Sequence, residues 1–220
     1  GVSLFPDDAP TAREVVANAD NALRGARRLG CDCYLEYSDL PEHTRTERPD
    51  LVVAEQVKQA LKDERFTLAF QPIVSTVTGE VTFYEGLARM LDDDGKPIAA
   101  SGFVPVVEQM GLMRLIDRKV LGLGLDVLER NPEMKLSINV SGMTAVDPMW
   151  LRQLEERLQD RRDLASRLIL EITETVALDD IDDSSRFVNS LNKFGCRVAL
   201  DDFGAGFTSF RHLRALNVAM

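Results

Sequence analysis

Residues that build disulfide frameworks or zinc sites are scarce in this chain of 220 residues. It has three cysteines and two histidines, and so few cysteines, odd in number, predict a reducing compartment without disulfides. Cys31 and Cys33 form a C-x-C pair with no second pair to complete a zinc site, so we interpret them as small residues beside a strand. His43 and His212 lack metal-ligand spacing and are predicted to lie at the surface.

Long apolar runs and an excess of positive charge are also absent. No run approaches the roughly 20 residues of a membrane helix, and no signal peptide is visible, so we expect a cytoplasmic protein without a membrane span. The formal net charge is −10 and the pI about 4.8, which disfavours binding to DNA or RNA polymers. A small phosphorylated ligand stays compatible with this charge, because bound cations reverse the local field.

Residues 1–38 are predicted to be the end of a larger α+β domain. GVSLFP is typical of a strand closed by a turn, and CDCYLEY of a second strand. Between them, a capping box of Thr11 and Glu14 starts a helix whose apolar spacing continues to a stop at Gly30. One helix and two strands enclose little core, so we expect the first part of this domain to be absent.

A linker and then an alternation of strands and helices are predicted for the rest of the chain. Residues 39–50 are polar, contain two prolines and show no periodicity, while the amphipathic pattern of residues 51–64 predicts a helix. The predicted strands are FTLAFQPIV, EVTFYEGLAR, KLSINV, RLILEIT and RVALDDF, with helical patterns near residues 103–130, 149–162 and 181–194. This alternation is typical of a parallel α/β sheet, either doubly wound or closed into a barrel.

Each of the last four predicted strands contains a residue that can bind a metal ion through oxygen. These residues are Glu85, Asn139, Glu171 and Asp201, separated by 54, 32 and 30 residues, with Asp202 directly after Asp201. One strand–helix unit of a (β/α)8 barrel takes about 30 residues, so we expect the last three at equivalent heights on neighbouring strands. The carboxyl ends of parallel barrel strands share one mouth, where this architecture carries its active site.

Oxygen donors gathered at one mouth would repel one another unless a cation lay between them. Oxygen ligands without His or Cys favour Mg²⁺ or Mn²⁺, and the doubled aspartate is consistent with two ions. No Lys or Arg closely follows Glu171, which disfavours a local salt bridge. Taken singly, Asn139 is better explained as the cap of a turn at Ser141, and Asp201 and Asp202 as a turn before a helix. The repeated spacing favours function.

At these residues the chain resembles the EAL-domain family, cyclic di-GMP phosphodiesterases built on a modified (β/α)8 TIM barrel. The resemblance runs from about residue 51 to residue 220. It rests on six motifs in order, which together are highly specific: FQPIV, YEGLARM, FVPVVEQMGLM, LSINVS, LILEITET and VALDDFGAGFTSF. Gly86 replaces the family's central alanine, which loosens the strand by about 0.5–1 kcal/mol but removes no ligand.

The resemblance implies a site and a reaction. The metal ligands it implies are Glu85, Asn139, Glu171, Asp201 and Asp202, which would bind Mg²⁺ or Mn²⁺ at a two-metal site; the four carboxylates among them are the implied catalytic residues. The ligand-binding residues it implies are Gln71, Leu87, Arg89 and Asn139. A planar guanidinium such as that of Arg89 suits a phosphate group. For the full-length parent, the implied reaction is hydrolysis of cyclic di-GMP to linear pGpG.

Residues 1–38 resemble the C-terminal tail of a GGDEF domain, through GVSLFPDD and ANADNALRGARRLG. The signature loop of that family is not in the chain, so this segment is not expected to make cyclic di-GMP. The later lysine, glutamate and glutamine of the EAL family would follow Met220, so we expect a C-terminally incomplete barrel of about five units in eight. The parent protein is expected to carry an upstream sensor or GGDEF-like domain.

Two other functions stay open at this point. A degenerate EAL-type receptor would bind cyclic di-GMP without cleaving it and pass the signal on. An interaction domain would have lost its activity and would use its helices to form a homodimer. A degenerate receptor is expected to lack several metal ligands, whereas this chain keeps all those it is long enough to contain, which favours the enzyme.

Overall fold

The computed structural model of the chain describes residues 1–29, 32–41, 49–173, 181–202 and 218. Two compact units divide the chain, Gly1–Val52 and Val53–Met220. Several sequence features lie outside the described residues: the predicted helix stop at Gly30, most of the predicted linker, the segments after Thr173 and Asp202, and Cys31, His43 and His212.

One long helix dominates the first unit. Helix α1 spans Ala12–Leu29, and a short 3₁₀ helix spans Tyr37–Asp39. The predicted N-cap at Thr11 is confirmed, because the backbone N–H of Glu14 donates to Thr11 Oγ1 over 3.3 Å. The Glu14 carboxylate accepts from the Thr11 hydroxyl over 2.7 Å, whereas the reciprocal bond of a full capping box would come from the Thr11 backbone N–H. The sequence signal at the start of α1 is therefore sufficient to fix that helix end.

The two strands predicted for the first unit do not form. Among its described residues, Val2 and Glu36 make a single parallel bridge rather than a ladder. The backbone already turns at residues 5–8, which leaves too short a stretch for the strand length that a stable sheet needs. The α+β prediction for this segment is thus wrong in its strands and right in its helix.

From Pro49 onward, helices and strands alternate. The helices are α2 (Pro49–Lys62), α3 (Val104–Gln109), α4 (Met113–Arg130), α5 (Gly142–Ala145), α6 (Pro148–Leu158), α7 (Arg162–Ala165) and α8 (Ile181–Phe194), with a 3₁₀ helix at Ala100–Gly102. The strands are β1 (Phe66–Val74), β2 (Val81–Leu91), β3 (Pro97–Ala99), β4 (Leu136–Asn139), β5 (Leu168–Thr173) and β6 (Arg197–Asp201). All five strands predicted after residue 65 are present. None of the described helices is both long and apolar enough to cross a membrane.

The six strands form one mixed sheet with the order β1-β2-β4-β5-β6, in which β3 pairs with β2. Strands β2, β4, β5 and β6 are parallel, as predicted. The prediction of a parallel sheet is wrong for β1 and β3, which run antiparallel to β2. Residues 75–80 are too few for the crossover that parallel neighbours require, so β1 and β2 form a hairpin.

The helical pattern predicted near residues 103–130 is divided into α3 and α4. Gly111 lies between them with a φ of +69°, in the left-handed region where glycine replaces a helical residue at a helix end. Helix α4 then carries the long apolar stripe that packs on β1 and β4. Its buried residues include Ile116, Val120, Leu121 and Leu125.

One face of the sheet packs against the helices, and the other face carries the predicted site residues. The outer face packs into the main core with Trp150 and Phe103 of the helical layer; its strand residues include Phe66, Met90, Leu136, Ile138, Leu170 and Val198. Strand residues alternate between faces, so every second residue belongs to the opposite, inner face. The inner face includes Gln71, Glu85, Leu87, Arg89, Ser137, Asn139, Ile169, Glu171, Thr173, Arg197, Ala199 and Asp201.

Candidate functional site

Cross-strand register brings four predicted site residues to the inner face at the ends of the parallel strands. The facing pairs are Glu85 with Ser137, Asn139 with Glu171, and Thr173 with Asp201. Glu85 and Glu171 are half-buried, whereas Asn139 and Asp201 are exposed. The predicted convergence of these oxygen donors on one face is therefore present in the fold.

The expectation of equivalent heights for Asn139, Glu171 and Asp201 is confirmed for Asn139 and Glu171, which are direct partners, and is wrong for Asp201. Asn139 lies two residues beyond Ser137, the partner of Glu85, and Asp201 lies two residues beyond Ala199, the partner of Glu171. The site residues thus advance by four residues across three strand neighbours. Strands of a closed barrel are tilted and advance by about one residue per neighbour, or about three here, so the register stagger is close to that of a tilted barrel.

Asn139 belongs to the site and does not cap the following turn. Its side-chain amide Nδ2 donates to Glu85 Oε1 over 2.9 Å. The N-cap position of α5 is taken by Ser141 instead. The interpretation of Asn139 as a turn cap is therefore wrong, and the residue links β4 to β2.

The environment of Glu171 disfavours its ionised form, because the pKa of this carboxyl group is raised in the folded protein. Burial raises the pKa of Glu171, the nearby carboxylates of Glu85 and Asp201 raise it further, and the hydroxyl of Ser137 opposes them. Burial and like charges both disfavour the ionised form of a carboxyl group. The site is thus built to repel its own negative charge.

Asp202 marks the point at which β6 ends. Its φ is +55°, a left-handed conformation that Asp adopts more readily than most residues, and its backbone N–H donates to Asp201 Oδ1 over 2.9 Å. Both aspartates are exposed. Asp202 therefore leaves the strand alternation beside Asp201 rather than continuing it.

The donor chemistry of the site fits a hard divalent cation. Among the described residues, no group of three or more His, Cys, Asp or Glu side chains is already arranged to hold a metal ion. Glu85, Asn139, Glu171 and Asp201 on the inner face nevertheless carry carboxylate and amide oxygens of the kind that Mg²⁺ and Mn²⁺ prefer. A cation would relieve the repulsion that raises the pKa of Glu171.

Three further predicted residues lie on the inner face near Glu85. Gln71 of β1 is directly opposite Glu85, and Leu87 and Arg89 follow Glu85 at two-residue steps along β2. Arg89 donates from Nη1 to the carbonyl oxygen of Ala88 over 2.9 Å and has no ion-pair partner among the described residues. Its remaining guanidinium donors are available to an anion.

A buried carboxylate that was not predicted fixes the chain just after Asn139. Asp117 of α4 is 5% exposed, and its Oδ2 accepts from Ser141 N at 3.0 Å, Ser141 Oγ at 2.6 Å and Thr144 Oγ1 at 2.7 Å. Burial raises the pKa of Asp117, against the lowering effect of these hydrogen bonds. A sequence signal existed, because Asp117 lies at helical spacing from Met113, Val120 and Leu121.

Cys33 and Cys196, the two cysteines that the structure describes, are not among the candidate site residues. Burial raises the pKa of Cys196 to about 12, so its thiol is inert at neutral pH. Cys33 donates from Sγ to the carbonyl oxygen of Ala26 over 3.3 Å. Cys33 and Cys196 are free thiols, and Cys31 lies outside the described residues.

Comparison with known proteins supplies the family. A signaling protein of Caulobacter vibrioides, itself uncharacterized, is 32% identical over 98% of this chain and 26% of its own length. The bifunctional diguanylate cyclase/cyclic di-GMP phosphodiesterase MucR of Pseudomonas aeruginosa is 28% identical over 98% of this chain and 32% of its own length. The chain thus spans about a quarter to a third of the length of these curated relatives.

A solved structure supports the same conclusion for the fold. The crystal structure of the FimX EAL domain from Pseudomonas aeruginosa bound to c-di-GMP superposes with a TM-score of 0.66 at 28% identity, over 76% of this chain and 68% of that one. The sheet described above therefore has the TIM-barrel-like fold of an EAL domain. Because the family model of the EAL domain matches residues 54–220, this chain belongs to the EAL-domain family.

Proposed function

We propose that the full-length protein hydrolyses cyclic di-GMP to linear pGpG in a reaction that depends on Mg²⁺ or Mn²⁺. The observation that carries this proposal is the convergence of Glu85, Asn139, Glu171 and Asp201 on the inner face at the ends of parallel strands. The similarity to MucR, whose name includes cyclic di-GMP phosphodiesterase, supports it.

Five residues would hold the metal ions. They are Glu85, Asn139, Glu171, Asp201 and Asp202, of which the four carboxylates are the proposed catalytic residues. A bound pair of divalent ions supplies an activated water and neutralises charge on the phosphodiester. The protein contributes the half-buried carboxylates of Glu85 and Glu171, and an amide at Asn139 that orients Glu85 through its 2.9 Å hydrogen bond.

Substrate binding is assigned to the same face of the sheet. Arg89 offers a planar fork of donors that matches a phosphate in bidentate geometry, and its freedom from ion pairs among the described residues supports this role. Leu87 gives an apolar surface between Arg89 and Glu85, and Gln71 gives a neutral donor and acceptor opposite Glu85. Together with Asn139, these side chains are the proposed ligand contacts.

Incubation of the full-length protein with cyclic di-GMP tests this function. We expect linear pGpG to appear on chromatography with Mg²⁺ or Mn²⁺ and to stop after chelation with EDTA. Glu155→Gln, an exposed glutamate on α6, serves as the control variant and is expected to keep full turnover. Absence of product with either metal would contradict the proposal.

The second candidate is an EAL-type receptor that binds cyclic di-GMP without cleaving it. It is favoured by the FimX EAL domain, whose structure contains c-di-GMP. Calorimetry in the presence of Mg²⁺ would detect binding, and chromatography of the same sample would detect any cleavage. Tight binding with no product over hours would establish the receptor.

We also propose that residues 1–38 are the C-terminal remnant of a GGDEF-like domain, followed by a linker at 39–50 and the EAL domain from 51. The division of the chain at Val52 and Val53 supports this boundary. The similarity to MucR extends over 98% of the chain and so includes the first unit. The sequence upstream in the parent gene tests the assignment, and sedimentation of the full-length protein tests the expected homodimer.

A further inference from the structure

Ser137 has a buried hydroxyl without a partner. The residue is 0% exposed, and its Oγ makes no hydrogen bond with the described residues, a property that it shares with Ser3 of the first unit. Burying a hydroxyl without a partner costs free energy that an alanine at the same position would not cost. We therefore expect the Ser137 hydroxyl to form a hydrogen bond in another state of the protein.

The position of Ser137 points to that partner. On the inner face Ser137 lies between Glu85 on one side and Ile169 on the other. Glu171 follows Ile169 by two residues on the same face, a diagonal distance that a long side chain can span. Ser137 and Glu171 thus share one face of neighbouring strands, and the Ser137 hydroxyl makes no hydrogen bond to the Glu171 carboxylate in this structure.

We propose that Ser137 is a positioning residue that donates a hydrogen bond to the Glu171 carboxylate when Glu171 binds a divalent cation. One carboxylate oxygen then accepts from Ser137, and the other stays free for the cation. This inference rests on the proposed metal-dependent function. Ligating carboxylates are commonly held by an outer hydrogen bond, whose loss weakens metal affinity by about 10–100-fold.

The proposal has a signature that a purely structural serine would not give. Ser137→Ala removes a hydroxyl that has no partner in the metal-free protein, so the stability of that form is expected to stay unchanged or to rise. The affinity for metal is expected to fall, because the orienting hydrogen bond is lost. Ser3→Ala is the matched control, since it removes the other unpartnered buried hydroxyl at a position outside the sheet.

The experiment measures Mn²⁺ affinity by calorimetry and metal-free stability by urea unfolding, on the full chain and both variants. We expect Mn²⁺ to bind about 10-fold more weakly to Ser137→Ala, with no loss of stability, and to bind normally to Ser3→Ala. Equal affinity of wild type and Ser137→Ala would overturn the proposal while leaving the proposed function intact. A loss of metal-free stability in Ser137→Ala would also overturn it, because the hydroxyl would then have a partner already. Absence of Mn²⁺ and Mg²⁺ binding to the wild type would overturn the metal-dependent function and this inference together.

Discussion

The end of β4 and the ends of β5 and β6 are neighbours in the sheet but are stabilised by different means. Beyond Asn139, the chain is held by three hydrogen bonds to the buried carboxylate of Asp117, and Asn139 itself is bonded to Glu85. Polar groups satisfied in this way rigidify the backbone around them. The β4 side of the site is thus organised by the protein alone.

The β5 and β6 side carries charge that the described residues do not neutralise. Glu171, Asp201 and Asp202 form no ion pair among the described residues, and the pKa of Glu171 is raised by burial and by its acidic neighbours. This side gains most from a cation. One half of the site is therefore held by hydrogen bonds within the protein, and we propose that a cation completes the other half.

Glu171→Gln tests the β5 and β6 side of the site, and we expect it to have the largest effect on turnover and metal affinity. We expect turnover to fall by more than about 100-fold and Mn²⁺ affinity to fall beyond the roughly 10–100-fold that an outer partner costs, because a ligand charge is lost. The metal-free variant should be more stable than wild type at neutral pH, because burial and repulsion of the Glu171 carboxylate disappear. Chromatography of product, calorimetry and urea unfolding measure these three quantities.

The difference in stability between Glu171→Gln and wild type should depend on pH. Since the folded protein raises the pKa of Glu171, the favourable contribution of this group is complete below the unfolded value of about 4.3 and is lost as pH rises through the folded value. The stability advantage of the glutamine variant should therefore be absent near pH 4 and grow toward neutral pH. If the stability difference between the variant and wild type were the same near pH 4 and at neutral pH, the inference that the ionised Glu171 carboxylate destabilises the folded protein would be wrong.

Asp117→Ala tests the half of the site that hydrogen bonds hold. Removal of the carboxylate leaves Ser141 N–H and the Thr144 hydroxyl without their buried acceptor, so we expect a loss of about 2–4 kcal/mol in the free energy of unfolding. Urea unfolding of the metal-free protein measures this loss.

Asp126→Ala on the same helix is the control for Asp117→Ala. Asp126 is partly exposed and pairs with Arg157 at 2.8 Å, so its removal should cost less than about 1 kcal/mol. Similar losses in both variants would mean that water replaces the partners of Asp117. The turn after β4 would then not be internally held.

Sequence patterns predicted the site better than the sheet that carries it. Period-two alternation and the spacing of Glu85, Asn139, Glu171 and Asp201 were enough to bring four donors to one face. Their stagger was missed, because strand tilt is a property of the assembled sheet rather than of a single strand. The antiparallel β1 was missed although the short connection at residues 75–80 contained the signal.

The first unit, and the residues Ser137 and Asp117 beside the site, show a second limit of prediction from the sequence. The helix start at Thr11 is decided by local hydrogen bonds and was predicted correctly, whereas strands need partners that a short segment cannot specify. Ser137 and Asp117 were missed because their meaning depends on neighbours distant in sequence. Ser137 lies two residues before Asn139 and so shares its face, a signal that alternation already contained.

Arg89→Lys tests ligand binding and should have a moderate effect. Lysine keeps the positive charge but loses the planar fork of donors, so we expect about a 10-fold loss in affinity for cyclic di-GMP. Calorimetry with cyclic di-GMP on both proteins measures this change. Arg152→Lys, an exposed arginine on α6, is the control and should bind normally. Unchanged affinity in Arg89→Lys would remove Arg89 from the phosphate contacts.

Gly86→Ala is expected to have the smallest effect, and it tests how tightly β4 packs against Gly86 of β2. Alanine in a strand is favoured over glycine by about 0.5–1 kcal/mol, but a Cβ at Gly86 would lie 3.3 Å from Ile138 Cγ2, Leu136 Cδ1 and the Ser137 carbonyl oxygen. These contacts are closer than ordinary packing, and the backbone oxygen cannot easily move. The two effects oppose each other, so Gly86→Ala should change the free energy of unfolding by less than about 1 kcal/mol.

Gly124→Ala is the matched variant, because it faces the same two side chains from α4. Its Cβ would lie 3.4 Å from Ile138 and Leu136, in ordinary contact, and alanine gains about 1 kcal/mol over glycine within a helix. We therefore expect Gly124→Ala to be more stable than Gly86→Ala in parallel urea titrations. A loss of more than about 2 kcal/mol in the free energy of unfolding of Gly86→Ala would mean that β4 cannot shift to make room for the Cβ. Glycine would then be required where the family usually has alanine. Equal stabilisation of both variants would instead mean that β4 adjusts freely, against the rigid half of the site inferred above.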